Sequence, residues 1–93
     1  MKRASLETLK RFTWTSSFND ERFALYFAEQ THEQKLLLIR DEYDSWGYFH
    51  KGTVLVDGEE MSIPHWGRLS LSERKALIYC AHEVALKNLK LPV

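Results

Sequence analysis

The chain has a single cysteine, Cys80, among its 93 residues. One thiol excludes an internal disulfide, and a fold that does without one suits a reducing compartment. A zinc site is excluded as well. None of the four histidines, His32, His50, His65 and His82, has another three or four residues away, and His82 stands only two positions from Cys80. Two residues so spaced fall on different sides of a helix, and no zinc-ligand spacing remains. Net charge is also missing. Thirteen basic side chains offset thirteen acidic ones, and the pI is about 6.9. A neutral chain carries no global field toward nucleic acid or a membrane surface.

Long apolar runs are absent too. No stretch of about 18 apolar residues occurs, so no transmembrane helix is expected. The segment MKRASLETLKRF alternates charged and apolar residues without an apolar core, so no secretory signal is expected and the expected location is cytoplasmic. Glycine is sparse, at 47, 52, 58 and 67. That scatter excludes a GxGxxG fingerprint and a Walker loop, and no nucleophile-elbow sequence exists. Cys80 lies among Leu77, Ile78 and Ala81, away from any helix start, so nothing in the sequence lowers its pKa.

Aromatic residues, by contrast, are plentiful: three Trp, four Tyr and five Phe. A domain of this length buries only roughly 60–65 % of its unfolded surface. Large rings help by giving much burial per residue, and some are left to face outward. Charge is segregated as well. Residues 16–60 hold ten acidic and four basic side chains, and the rest hold nine basic and three acidic.

The pattern predicts an α+β fold in one domain, 1–93. It comprises a short N-terminal helix, an antiparallel sheet of three or four strands, and a long C-terminal helix packed on one sheet face. Ser5 is placed to cap a helix over 6–12, with Leu6, Leu9 and Phe12 roughly on one side and a break at Thr13–Ser17. Phe23, Leu25 and Phe27 alternate with Ala24, Tyr26 and Ala28, which favours a hairpin of strands near 22–29 and 35–41 joined by Thr31–Gln34. A helix opening at Asn19-Asp20-Glu21 competes with it. Asp57-Gly58 supplies a two-residue type I′ turn. That turn sets Val56 opposite Glu59, Leu55 opposite Glu60 and Val54 opposite Met61. It turns Val54, Val56, Met61 and Ile63 inward and leaves Leu55 with Glu60 outside. Pro64 ends the strand. Ser70 and Glu73 form a capping box that opens a helix from Leu71 to about Leu89, with Lys87 and Lys90 near its end and Pro92 as its stop.

The segment DEYDSWGYFHKG at 41–52 concentrates the residues that bear on function. It fails as a calcium loop, because neither Asp41 nor Glu42 as first ligand gives the required glycine and terminal glutamate. Its carboxylates read as a solvated turn. Its Trp46, Tyr48 and His50 share one strand parity. If Phe49 points inward, they form an outward stripe beside His65 and Trp66. With Tyr43, these residues are the expected partner-binding surface, since aromatic residues dominate interface hot spots. A rim of Asp41, Glu42, Asp44, Glu59 and Glu60 would suit a basic partner.

The function expected is therefore a small non-enzymatic module that docks on a larger protein and regulates or inhibits it, in the manner of inhibitors carried by phages and mobile elements. No catalytic residue, metal or cofactor is assigned. Two alternatives stand beside it. A nucleic-acid module would use Arg3, Lys10, Arg11, Arg68, Arg74 and Lys75. A small enzyme subunit would pair Asp44 or Glu42 with His50. Self-association through a sheet edge, or through Tyr79 and Leu86, is a further expectation.

Overall fold

The structure, a computed structural model, describes residues 1–14 and 18–89. Its elements in order are β1 (Lys2–Arg3), α1 (Leu6–Phe12), α2 (Glu21–Ala28), α3 (His32–Phe49), β2 (Thr53–Val56), β3 (Glu59–Ser62), a 3₁₀ turn (Trp66–Arg68) and α4 (Leu71–Asn88). The fold is α+β. The part of the expected break at 15–17 and the expected stop at Lys90 and Pro92 lie outside the described residues.

Several local expectations hold. The Ser5 hydroxyl accepts from the Thr8 amide and starts α1. Ser70 and Glu73 cap α4 reciprocally. Two of the four amides left orphaned at a helix start thereby find acceptors. Asp57 and Gly58 both take positive φ, 51° and 82°, and the β2–β3 register pairs Val56 with Glu59, Leu55 with Glu60 and Val54 with Met61. Val54 and Ile63 are buried, Val56 and Met61 partly so, and Leu55 and Glu60 face solvent.

The hairpin expected at 22–29 and 35–41 is replaced by two helices. Asp20 caps α2 by accepting from the Arg22 amide. Thr31 caps α3 by accepting from the Gln34 amide. Burial then follows the helical period. Ala24 and Phe27 are buried on α2, and Ile39, Tyr43 and Trp46 on α3. The competing reading, a helix opening at Asn19-Asp20-Glu21, is the one realised over 21–28.

The sheet has three strands, within the three or four expected, and is mixed rather than purely antiparallel. Its order is β1-β3-β2, and the two-residue β1 lies parallel to β3. The C-terminal helix does not lie chiefly on that sheet. Its packing partners are α2 above all, then α1 and α3. Small residues, Ala24 on α2 with Ala81 and Ala85 on α4, are buried there and let the helices approach closely. Phe18 sits at the centre of the remaining core. Its ring meets Trp14, Phe23 and Phe27 edge-on, each with centroids 5.1 Å apart. Asn88 near the end of α4 fastens this loop by donating to the Phe18 carbonyl at 2.8 Å. Among the described residues, no helix is long and apolar enough to cross a membrane.

One half-buried contact carries a pH signature. His82 on α4 lies against the Phe27 ring, with centroids 5.2 Å apart. Burial first, then the nearby Lys35 and His32 charges, holds its pKa below the ordinary 6.5. The folded chain thus disfavours the imidazolium, and the unfolded chain binds the proton more readily. The stability this confers is complete above the unfolded value and is lost as pH falls below it, through the lowered folded value. Urea unfolding of His82→Gln across this range should show a shallower acid-side decline than the parent. Parallel declines would remove His82 as a cause.

Candidate functional site

Helix α3 organises both concave surfaces described here, so its end matters first. After Phe49 the amide of Lys51 donates to the Tyr48 carbonyl at 3.0 Å, and that of Gly52 to the Gly47 carbonyl at 2.8 Å. This pair of bonds is a Schellman motif. Lys51 and Gly52 take φ of 56° and 74°, which swings the chain off the helix into β2. Residues 46–49 are therefore helical, and the strand parity that would have aligned Trp46, Tyr48 and His50 does not exist. Successive helical positions turn by about 100°, so neighbours two apart point to nearly opposite sides.

The consequences for the expected surface are direct. Tyr43, Trp46 and Trp66 are buried, Tyr43 completely. Tyr43 stacks against Trp66 at 5.4 Å and Trp46 at 5.9 Å, and its hydroxyl donates to the Pro64 carbonyl at 2.7 Å. Burial pushes its pKa upward, so it stays a neutral donor. These three rings hold α3 to the 63–66 segment and are buried rather than presented outward. Tyr48, His50 and His65 are exposed, and Phe49 joins them instead of pointing inward. Tyr48 and Phe49 are 88 % and 82 % exposed, and Phe49 packs its edge on His50 at 5.7 Å.

Beside this aromatic end lies a concavity of about 600 Å³, lined by Tyr43, Gly47, Tyr48, Phe49, Ile63 and His65 among others. Glycine in mid-helix costs about 1 kcal/mol against alanine. Here its missing side chain leaves space above Ile63, since a Cβ at position 47 would sit 3.6 Å from the Ile63 Cγ2. The expected acidic rim is only partly placed. Asp44 lines the hollow, but its Oδ1 accepts from the Trp66 amide at 3.1 Å. The carboxylates at 41, 42 and 44 lie on a helix and not in a turn.

Asp44 lies on α3 and His50 is its C-cap, and the two side chains have different partners. Asp44 serves Trp66, and His50 lies against Trp46 with centroids 5.5 Å apart. No group of three or more His, Cys, Asp or Glu side chains able to hold a metal occurs among the described residues. Burial raises the pKa of the Cys80 thiol, whose Sγ donates to the Lys10 carbonyl at 3.7 Å.

The six basic residues considered for nucleic acid are spread over β1, α1, the 3₁₀ turn and α4. Several are engaged within the molecule. Arg3 donates through both terminal nitrogens to Glu73, at 3.0 and 3.1 Å. The guanidinium, helped by the Ser70 amide, draws the Glu73 carboxyl down to about 2. Lys10 stands 3.8 Å from Glu7. Arg74 donates to the carbonyls of Trp66 and Gly67, finishing the 3₁₀ turn. Arg11 lies over the Phe12 ring. Arg68 and Lys75 are exposed.

A second concavity, of about 830 Å³, lies between α3 and α4. Leu36, Leu37, Trp66, Leu71, Ile78 and Tyr79 supply its apolar lining. Sequence reasoning marked Tyr79 as a contact edge but placed Leu36 and Leu37 on a strand. Reading Thr31-His-Glu-Gln34 as a helix cap would have put both on α3.

Comparison with protein-family models, curated proteins and solved structures gives no match for this chain.

Proposed function

We propose that the chain is a small, non-enzymatic docking module that binds a larger protein through the aromatic end of α3. The observation that carries this reading is the pair Tyr48 and Phe49, consecutive large rings that are 88 % and 82 % exposed beside a hollow floored by the core. Water-exposed rings at such a site gain much on being covered, and aromatic anchors dominate interface energetics. His65 and His50 add polar handles at the edge. The pairing of Arg3 with Glu73 and of Lys10 with Glu7 leaves fewer cations to track a phosphate backbone, which weighs for a protein partner.

The test is capture from native cell extract, with and without nuclease. It compares the parent with Tyr48→Ala/Phe49→Ala and with Leu55→Ala, a control on the outward side of β2. The double variant should retain its thermal midpoint and lose the captured protein, while Leu55→Ala keeps it. Retention by the double variant, or loss on nuclease treatment of the parent, would overturn the reading.

A further inference from the structure

We propose that the groove between α3 and α4 receives an amphipathic helix of a partner protein, one with an apolar face flanked by carboxylates. This surface is separate from the aromatic end. The Asp44–Trp66 bond joins α3 to the 3₁₀ turn between the two hollows, so the assignment stands without the preceding one.

The two walls run antiparallel. His82, in the second half of α4, and Lys35, at the start of α3, both meet the Phe27 ring, and Arg74 near the start of α4 meets Trp66, which Asp44 holds from further along α3. Between them, Leu37, Leu71 and Tyr79 are 45 %, 69 % and 73 % exposed. Three large apolar side chains thus face water around one hollow whose floor includes the buried Trp66.

Charge selects the occupant. The lining carries Arg40, Arg74 and Lys75 against Glu33 alone. Lys75 pairs with no carboxylate among the described residues, and Arg40 reaches only Asp41, at 3.8 Å and largely in solvent. Three positive groups against one negative attract an acidic segment and repel a basic one. The apolar walls have nothing to offer a phosphate chain beyond those cations.

Shape selects a helix. Both walls are helix side chains, so no free strand edge is offered for main-chain pairing. Helices pack into the furrow between two others by fitting ridges to grooves. From His32 to Arg40 the α3 wall rises about 12 Å, and anchors at i and i+7 of a partner helix are about 10.5 Å apart. The groove therefore takes two turns, with anchors at i, i+3 or i+4, and i+7.

A displayed library of short helical peptides, randomised on one face and its flanks, tests this against the intact chain. Enriched peptides should carry large apolar residues at that spacing with an excess of Asp and Glu beside them. Synthetic copies, followed by fluorescence anisotropy, should bind Leu37→Ser and Lys75→Glu roughly tenfold or more weakly and should lose affinity with added salt. Arg40→Glu serves as the second charge variant, with circular dichroism confirming each fold. The proposal is overturned by an absence of binders, by enriched peptides without an acidic excess, or by affinity that these substitutions leave unchanged. It is equally overturned if sedimentation shows a second copy of the chain filling the groove and the same variants dissolving that oligomer.

Discussion

Phe18→Ala is expected to bring the chain close to unfolding at room temperature. Phe18 is fully buried, and its ring makes edge-on contacts with Trp14, Phe23 and Phe27. Replacing a buried Phe with Ala costs about 3–5 kcal/mol through lost transfer energy and the cavity left behind. Aromatic pairs are worth about 0.5–1.5 kcal/mol each beyond that burial. At roughly 0.05–0.15 kcal/mol per residue, a domain this size has about 5–14 kcal/mol in total. The substitution thus removes from about a fifth of the stability to all of it. The position also ties distant parts together, because Asn88 of α4 holds its carbonyl. Urea unfolding followed by far-ultraviolet circular dichroism should show a midpoint shifted sharply down, with Phe18→Leu between variant and parent. An unshifted midpoint would mean that the three rings do not converge on Phe18.

The second large effect separates two neighbours in DEYDSWGYFHKG. Trp46→Ala is expected to cost about 3–5 kcal/mol, as for a large ring leaving a core. Tyr48→Ala should stay within about 0.5 kcal/mol, as at other exposed positions. Trp46 is 8 % exposed and packs on Tyr43, whereas Tyr48 is 88 % exposed. On a strand the two would share a face and respond alike. On α3 they diverge, so the pair of unfolding curves reads the backbone conformation directly. Loss of partner capture by Trp46→Ala would report loss of fold, which is why Tyr48 and Phe49 are the positions to test for docking.

What the sequence disclosed follows from how local each signal is. The Asp57-Gly58 turn and its register, the Ser5 cap and the Ser70–Glu73 box each need only a few adjacent residues, and each is present. Thr31 and Gln34 are the same kind of signal, a hydroxyl followed three residues later by Gln, and mark the start of α3. Their reading as a hairpin turn displaced everything to residue 50. Ile39, Tyr43 and Trp46, spaced by four and three, are the counter-signal, visible only over a window longer than one strand. The groove between α3 and α4 was beyond sequence reasoning, since it depends on which helices pack together. The parallel β1–β3 pairing was equally hidden, because two residues carry no periodicity.

That short pairing bears on how the domain is made. Lys2 and Arg3 precede every helix of the fold, yet they pair with Met61 and Ser62, and Arg3 finds its carboxylate partner seventy residues later on α4. Closing so wide a loop is paid in chain entropy before any contact returns it. During synthesis α2 and α3 can form as local hairpinned helices, but their apolar faces wait for α4. The core is therefore completed only when α4 packs against α1, α2 and α3. Its aliphatic and aromatic surfaces stay open until then, within reach of any chaperone that meets the nascent chain.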